Sequence, residues 1–155
     1  MALKNYTTKV SALRSISEIQ EMLQKHGAIG VLTEFEQGTG KIEAISFRIK
    51  IGDQNCFFRL PMQWREAQKA MKDEGNRRAN DDDYCYRVAW RITRDWVDVQ
   101  MALIDLRTAE LQQIFLPYAV TSNGETIFES FRDNPKYLLE SGGGNYEIPH
   151  SPMVL

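Results

Sequence analysis

The chain has little of the residue types that most often carry chemistry. Of its 155 residues only two are histidines, His26 and His150, and only two are cysteines, Cys56 and Cys85. No CxxC, HExxH or His-x-His spacing occurs, which excludes a zinc site built from one segment, and no metal or cofactor is expected. Both cysteines sit among apolar residues and read as reduced core thiols, with a disulfide between them as the alternative. Neither has a histidine nearby in sequence, an apolar setting blunts a thiol nucleophile, and no Gly-x-Ser-x-Gly elbow is present. An excess of one charge sign is also missing. Lys and Arg number 19 against 21 Asp and Glu, a formal net charge of −2, so no long-range positive field draws the chain to nucleic acid. No apolar run approaches the roughly 20 residues of a membrane span, and the first residues lack a run of signal-peptide length. A cytoplasmic location without membrane contact is the expectation.

What is present is a set of periodic segments. Residues 5–10, NYTTKV, have the Tyr/Thr/Val composition of a short strand. Ser15 with Glu18 three residues on makes a capping box. Ile16, Ile19 and Leu23 follow at helical spacing, and Gly27 supplies a left-handed stop. Three alternating runs come next. Ile29, Val31, Thr33 and Phe35 form the first, Ile45, Phe47, Ile49 and Ile51 the second, and Cys56, Phe58 and Leu60 the third, with Gly-containing turns between them. That pattern predicts an antiparallel meander of three strands, or four with residues 5–10. Residues 38–41 read GTGK, but a phosphate loop needs glycine where Phe35 stands and Ser or Thr where Ile42 stands. A hairpin turn is the better reading.

After Pro61 a short helix is expected up to Gly75, then a polar linker, GNRRANDDD. Asp81, Asp82 and Asp83 read as a helix cap more readily than as a magnesium site. Glu34, Glu36 and Lys41 loosely resemble an acid–acid–lysine nuclease set, a reading outweighed by ordinary strand-face carboxylates. The helix that follows runs over residues 84–116, to Pro117. At 1.5 Å per residue it would be about 50 Å long, in a domain only about 40 Å across. It must span the molecule or bend near residues 107–108. A last short helix, TIFESFRD, precedes Asn134. Residues 1–140 read as one α+β domain and residues 141–155 as a Gly- and Pro-containing tail. In that tail Tyr146, Ile148, Met153 and Leu155 are the candidates for self-association or partner contact.

The stretch RVAWRITRDWVDVQMALI, residues 87–104, raises the sharpest question. Around a helix, Cys85, Ala89, Ile92, Trp96, Val99, Leu103 and Leu106 make one apolar stripe, spaced 4-3-4-3-4-3. Tyr86, Trp90, Val97, Met101 and Ile104 make a second. Arg87, Arg91, Arg94 and Asp98 fill the remaining strip, where Arg91 with Asp95 and Arg94 with Asp98 are i, i+4 pairs. A solvated, self-paired strip is therefore the reading preferred over a phosphate-binding one. A nucleic-acid module would need Arg77, Arg78, Arg87 and Arg94 to converge with Arg48 and Lys50 of the sheet. Helix–meander–helix is also the order of double-stranded-RNA-binding domains, but their lysine cluster is absent here. A third possibility is a protein that sequesters a nucleotide signal on Trp64 or Trp90 as a stacking platform.

Three segments, NYTTKVSALRSISEIQ, AWRITRDWVDVQMALI and IFLPY, resemble a family of small proteins of bacteriophages and mobile elements. The resemblance covers most of the chain up to about Phe131, and its motifs carry no assigned chemistry. It implies a non-enzymatic protein in a bacterial host cell that binds a host or phage macromolecule, most specifically a protein. Inhibition of host defence is the more particular form. The expected fold is an antiparallel meander packed on a long central helix, with shorter helices around it.

Overall fold

The computed structural model describes residues 4–135. The tail candidates Tyr146, Ile148, Met153 and Leu155 lie outside the described residues. The elements run α1 (Ala12–Lys25), β1 (Gly30–Phe35), β2 (Ile42–Ile51), β3 (Gln54–Pro61), α2 (Trp64–Asp73), α3 (Asp82–Asp105), α4 (Leu111–Ile114), a 3-10 turn (Leu116–Tyr118) and α5 (Ile127–Asp133). The three strands form one antiparallel sheet in the order β1-β2-β3, so the α+β meander on a long helix is the observed architecture. The outer edge of β3 is partly covered, because Val120 donates its N–H to the Phe57 carbonyl at 2.8 Å. The outer edge of β1 pairs with nothing among the described residues.

The expected fourth strand is not formed. Asn5 has φ +61°, a left-handed conformation that asparagine tolerates, and residues 4–7 turn. The carbonyls of this segment are taken by side chains of α3 instead. Tyr84 Oη donates to the Tyr6 carbonyl at 2.6 Å and Arg87 Nε to the Thr8 carbonyl at 3.1 Å. The expected capping box is also displaced. The N-cap of α1 is Ser11, whose side chain accepts from Arg14 N–H. Ser15 lies one turn inside, fully buried, with its hydroxyl unpaired. At the other end the stop signal holds. Gly27 adopts φ +110°, while Ala28 N–H reaches the Leu23 carbonyl and Gly27 N–H that of Gln24, the two bonds of a Schellman cap.

The core lies between one face of the sheet and the helices. Ile45, Phe47 and Ile49 of β2 and Phe58 and Leu60 of β3 pack with Ile16, Ile19 and Leu23 of α1 and with Trp90, Val97 and Met101 of α3. Phe47 stacks on Phe58 with centroids 5.1 Å apart and meets Phe115 edge-on at 5.1 Å. The alternation of β2 therefore does what period-2 patterning requires.

The long helix ends earlier than Pro117. Asp81 caps α3 by accepting from Tyr84 N–H, and its 24 residues span about 36 Å. It stops because Arg107 takes φ +60° and Thr108 N–H turns back to the Leu103 carbonyl. Of the two outcomes that the length allows, spanning the molecule or breaking near residues 107–108, the second is observed. One of the two stripes fails along half its length. Cys85 and Ala89 are buried, but Val99 and Leu106 are 60% and 70% exposed, and Leu103 is exposed as well. The reason is the reach of α2. Its 10 residues are only about 15 Å long, and Met71 and Ala67 cover Cys85, Val88 and Ile92. Beyond that point Trp96 packs edge-on against Phe115 and Tyr118, while Val99, Leu103 and Leu106 have no covering element among the described residues.

Candidate functional site

The charged strip of α3 faces α1 and is not a solvated surface. Glu18, in the middle of α1, accepts from Arg91 Nη1 at 3.0 Å and from Arg94 Nε at 2.6 Å. Arg94 also reaches Asp98 at 3.3 Å and Asp95 at 3.4 Å, and Arg91 Nε lies 3.9 Å from Asp95. Asp95 in turn accepts from Asn5 at 2.9 Å and pairs with Lys4 at 3.3 Å. Both i, i+4 pairs thus exist, inside a larger network that joins two helices and the N-terminal segment. Partial burial would raise the Glu18 carboxyl, but the hydrogen bond and charge of Arg94, followed by Arg91, outweigh it and hold the carboxyl below its ordinary value. Glu18 is the residue that sequence reasoning misses, because the capping-box spacing assigns it to Ser15. Around α1 it stands beside Ser15 and Met22, at the margin of the face that carries Ile16, Ile19 and Leu23, and no local pattern marks it.

The six candidate nucleic-acid residues do not share one surface. Arg94 is consumed in the α1–α3 network. Arg78 and Arg87 lie over the Tyr84 ring, 4.1 Å and 5.6 Å from its centroid. Arg78 also lies 4.0 Å from Asp81, while Arg77 is exposed and has no partner among the described residues. Arg48 alternates with the core-facing Phe47 and Ile49, and its neighbours in register are Gly30 and Phe57. It therefore stands on the face of the sheet turned away from α3, and Lys50 follows two residues on in the same alternation.

Trp64 and Trp90 offer no open ring face. Trp64 is 1% and Trp90 0% exposed, which removes the geometry a stacking platform needs. Trp64 anchors a cluster at the β1–β2 hairpin. Its indole N–H donates to Glu36 at 3.2 Å, and Glu36 also accepts from Arg65 at 2.6 Å and Thr39 at 3.0 Å. Lys41 pairs with Asp83 at 2.7 Å and lies 4.8 Å from the Tyr86 ring centroid, while Tyr86 Oη accepts from Ile42 N–H at 2.7 Å. Arg65 holds the Glu36 carboxyl low, Lys41 does the same for Asp83, and burial pushes the Tyr86 phenol up.

The acid–acid–lysine set is dispersed by these pairings. A register shift falls between Glu34 and Phe35; Glu34 binds Arg59 at 2.7 and 2.9 Å, Glu36 binds Arg65, and Lys41 binds Asp83. The acidic triplet is divided likewise, with Asp81 as cap, Asp82 accepting from Gln68 and Asp83 holding Lys41. Among the described residues no group of three His, Cys, Asp or Glu side chains is placed to hold a metal ion. Both cysteines are free, and burial raises the Cys85 thiol, whose Sγ lies 3.4 Å from the Ala79 carbonyl. His26 ties two helix ends together, with Nδ1–H donating to the Met22 carbonyl at 2.7 Å and Nε2 at 2.9 Å from Asp105.

The described surface also carries exposed apolar side chains. One strip comprises Val99, Leu103 and Leu106 on α3. Another follows β1, where Ile29, Leu32 and Phe35 are exposed. A cleft of about 600 Å³ runs between the end of β3 and α5, lined by Arg59, Met62, Tyr118, Phe128 and Arg132 among others. No helix of the described residues is long and apolar enough to cross a membrane. Compared with family models, with curated proteins and with solved structures, the chain finds no match.

Proposed function

We propose that the protein works by binding another protein, of the host or of the phage, and not by catalysis; inhibition of a host defence is the form that the resemblance suggests. The observation that carries this reading is the bare half of α3. The stripe that α2 covers over Cys85, Val88 and Ile92 continues past α2 as Val99, Leu103 and Leu106, at i, i+4 and i+7. Apolar residues at that spacing present a continuous strip along a helix, and a contiguous exposed apolar strip is the ordinary mark of a protein-binding surface. The charged groups support the same reading. Glu18, Glu34, Glu36, Asp83, Arg91 and Arg94 are all engaged within the chain, so none of these candidate carboxylates and arginines is held free for a substrate.

The test is capture from infected and uninfected host cells with the wild-type chain and with a Leu103→Glu/Leu106→Glu variant, followed by reconstitution with the purified partner. A partner bound by the wild type and lost by the variant is the expected result. A partner retained by the variant, or none above background, overturns the reading. Binding to nucleic acid that weakens steeply with salt would move the function to the other class, since phosphate contacts release counterions.

A further inference from the structure

We infer that the protein self-associates through β1, two copies pairing edge to edge across a two-fold axis at Leu32. This stands independently of the partner reading above, which uses α3. The outer edge of β1 makes no hydrogen bond to any other segment of the described chain. Alternate residues of an edge strand leave N–H and C=O groups unpaired, and what satisfies them is another extended strand. Natural edges are usually guarded by lysine, proline or a covering helix. The run Gly30–Phe35, GVLTEF, contains neither lysine nor proline. Leu32 is 73% exposed, and Ile29 and Phe35 are more than half exposed.

The occupant is set by self-complementarity. When this strand pairs antiparallel with a copy of itself about Leu32, Leu32 meets Leu32, Ile29 meets Phe35, Val31 meets Thr33 and Gly30 meets Glu34. Aromatic with β-branched, and β-branched with β-branched, are the cross-strand pairs that stabilise sheets, and no like charges stand opposite one another. Glu34 is already neutralised by Arg59 of its own chain. The contact is isologous, so it closes as a dimer and does not propagate. It converts two three-stranded sheets into one of six strands. Beside the edge, α1 presents Ser17, Gln20, Glu21 and Gln24 over a groove that reaches Ile29 and Val31; the one charge on this wall, Glu21, is paired with Lys25 of its own helix at 3.1 Å.

The experiment is sedimentation equilibrium of the full chain over a wide concentration range, beside a Leu32→Lys/Phe35→Lys variant and a chain truncated after residue 140. The two substituted side chains are exposed, so far-UV circular dichroism should stay unchanged. The wild type and the truncated chain are expected to dimerise. The lysine variant is expected to be monomeric, or to associate more weakly by at least an order of magnitude. Amide exchange gives a second reading, with β1 amides protected in the dimer and exchanging faster on dilution. A monomeric wild type at its highest soluble concentration overturns the inference. So does a dimer that survives both lysines, or one lost with residues 141–155.

Discussion

The two halves of α3 have nearly the same apolar content and opposite surroundings. In the first half Tyr84, Cys85, Tyr86, Val88, Ala89 and Trp90 are all buried, because the sheet lies on one side and α2 on another. In the second half only Val97 and Met101 are buried, while Val99, Leu103 and Leu106 face solvent. The stripe itself does not change character between them. What changes is the length of the neighbouring helix. A burial pattern is thus a joint property of a helix and of whatever lies beside it, and an apolar stripe that outruns its cover stays in solvent.

The largest expected effect contrasts the halves directly. Trp90→Ala should cost about 3–5 kcal/mol of unfolding free energy, as large core truncations do. Leu106→Ser, the same kind of loss on the bare half, should stay within about 0.5 kcal/mol. Urea unfolding followed by tryptophan fluorescence or circular dichroism measures both. Equal costs would mean that the second half is covered in solution. Trp90→Phe refines the first value. The indole N–H has no hydrogen-bond partner, so this smaller change loses packing alone and should cost clearly less than the alanine.

A second prediction concerns the seam that both halves share with α1. Glu18→Gln removes the carboxylate that Arg91 and Arg94 grip, at a cost of about 1–2 kcal/mol near neutral pH. The folded Glu18 carboxyl lies below its ordinary value, so its stabilisation is present above the unfolded pKa of about 4.3 and fades as pH falls through the folded value. The gap between wild type and variant should therefore be widest above that pH and close in acid. A gap that widens on acidification would remove Glu18 from the network.

These contrasts also show what the sequence can disclose. The alternation in β2 is legible because one face is core and period 2 is unambiguous. The start of α3 is legible because Asp81 is a strong cap. Composition alone suggests a strand over residues 5–10, whereas Tyr84 and Arg87 bind the carbonyls of Tyr6 and Thr8 from 78 and 79 residues away. Ser11 and Ser15 are equally good caps by residue type, and only the packing of α1 decides between them. The arginines were the hardest. Their i, i+4 partners follow from spacing, but Glu18 comes from another helix, and no local pattern announces a contact across 73 residues. The bare strip reads as core from spacing alone because the reach of α2 is a tertiary fact.

The smallest expected effect lies at the end of the bare half, where two Schellman caps can be compared. In α1 the left-handed position is Gly27, and in α3 it is Arg107. An added Cβ at Gly27 would meet nothing within 4 Å, so space does not select glycine there. Its φ of +110° does, because the left-handed basin open to other residues lies near +50° to +70°. Gly27→Ala should therefore cost about 1–2 kcal/mol from backbone strain alone. Arg107, at φ +60°, sits inside that basin and bears a smaller penalty, so Arg107→Gly should raise stability by about 0.5–1 kcal/mol. Thermal denaturation at equal protein concentration measures both. The decisive readout is partner capture by the stabilised variant. Arg107 has no ion pair among the described residues and follows Leu106 directly. If Arg107→Gly gains stability and loses the partner, the arginine extends the apolar strip into a binding surface. If it gains stability and binds as before, the strip ends at Leu106.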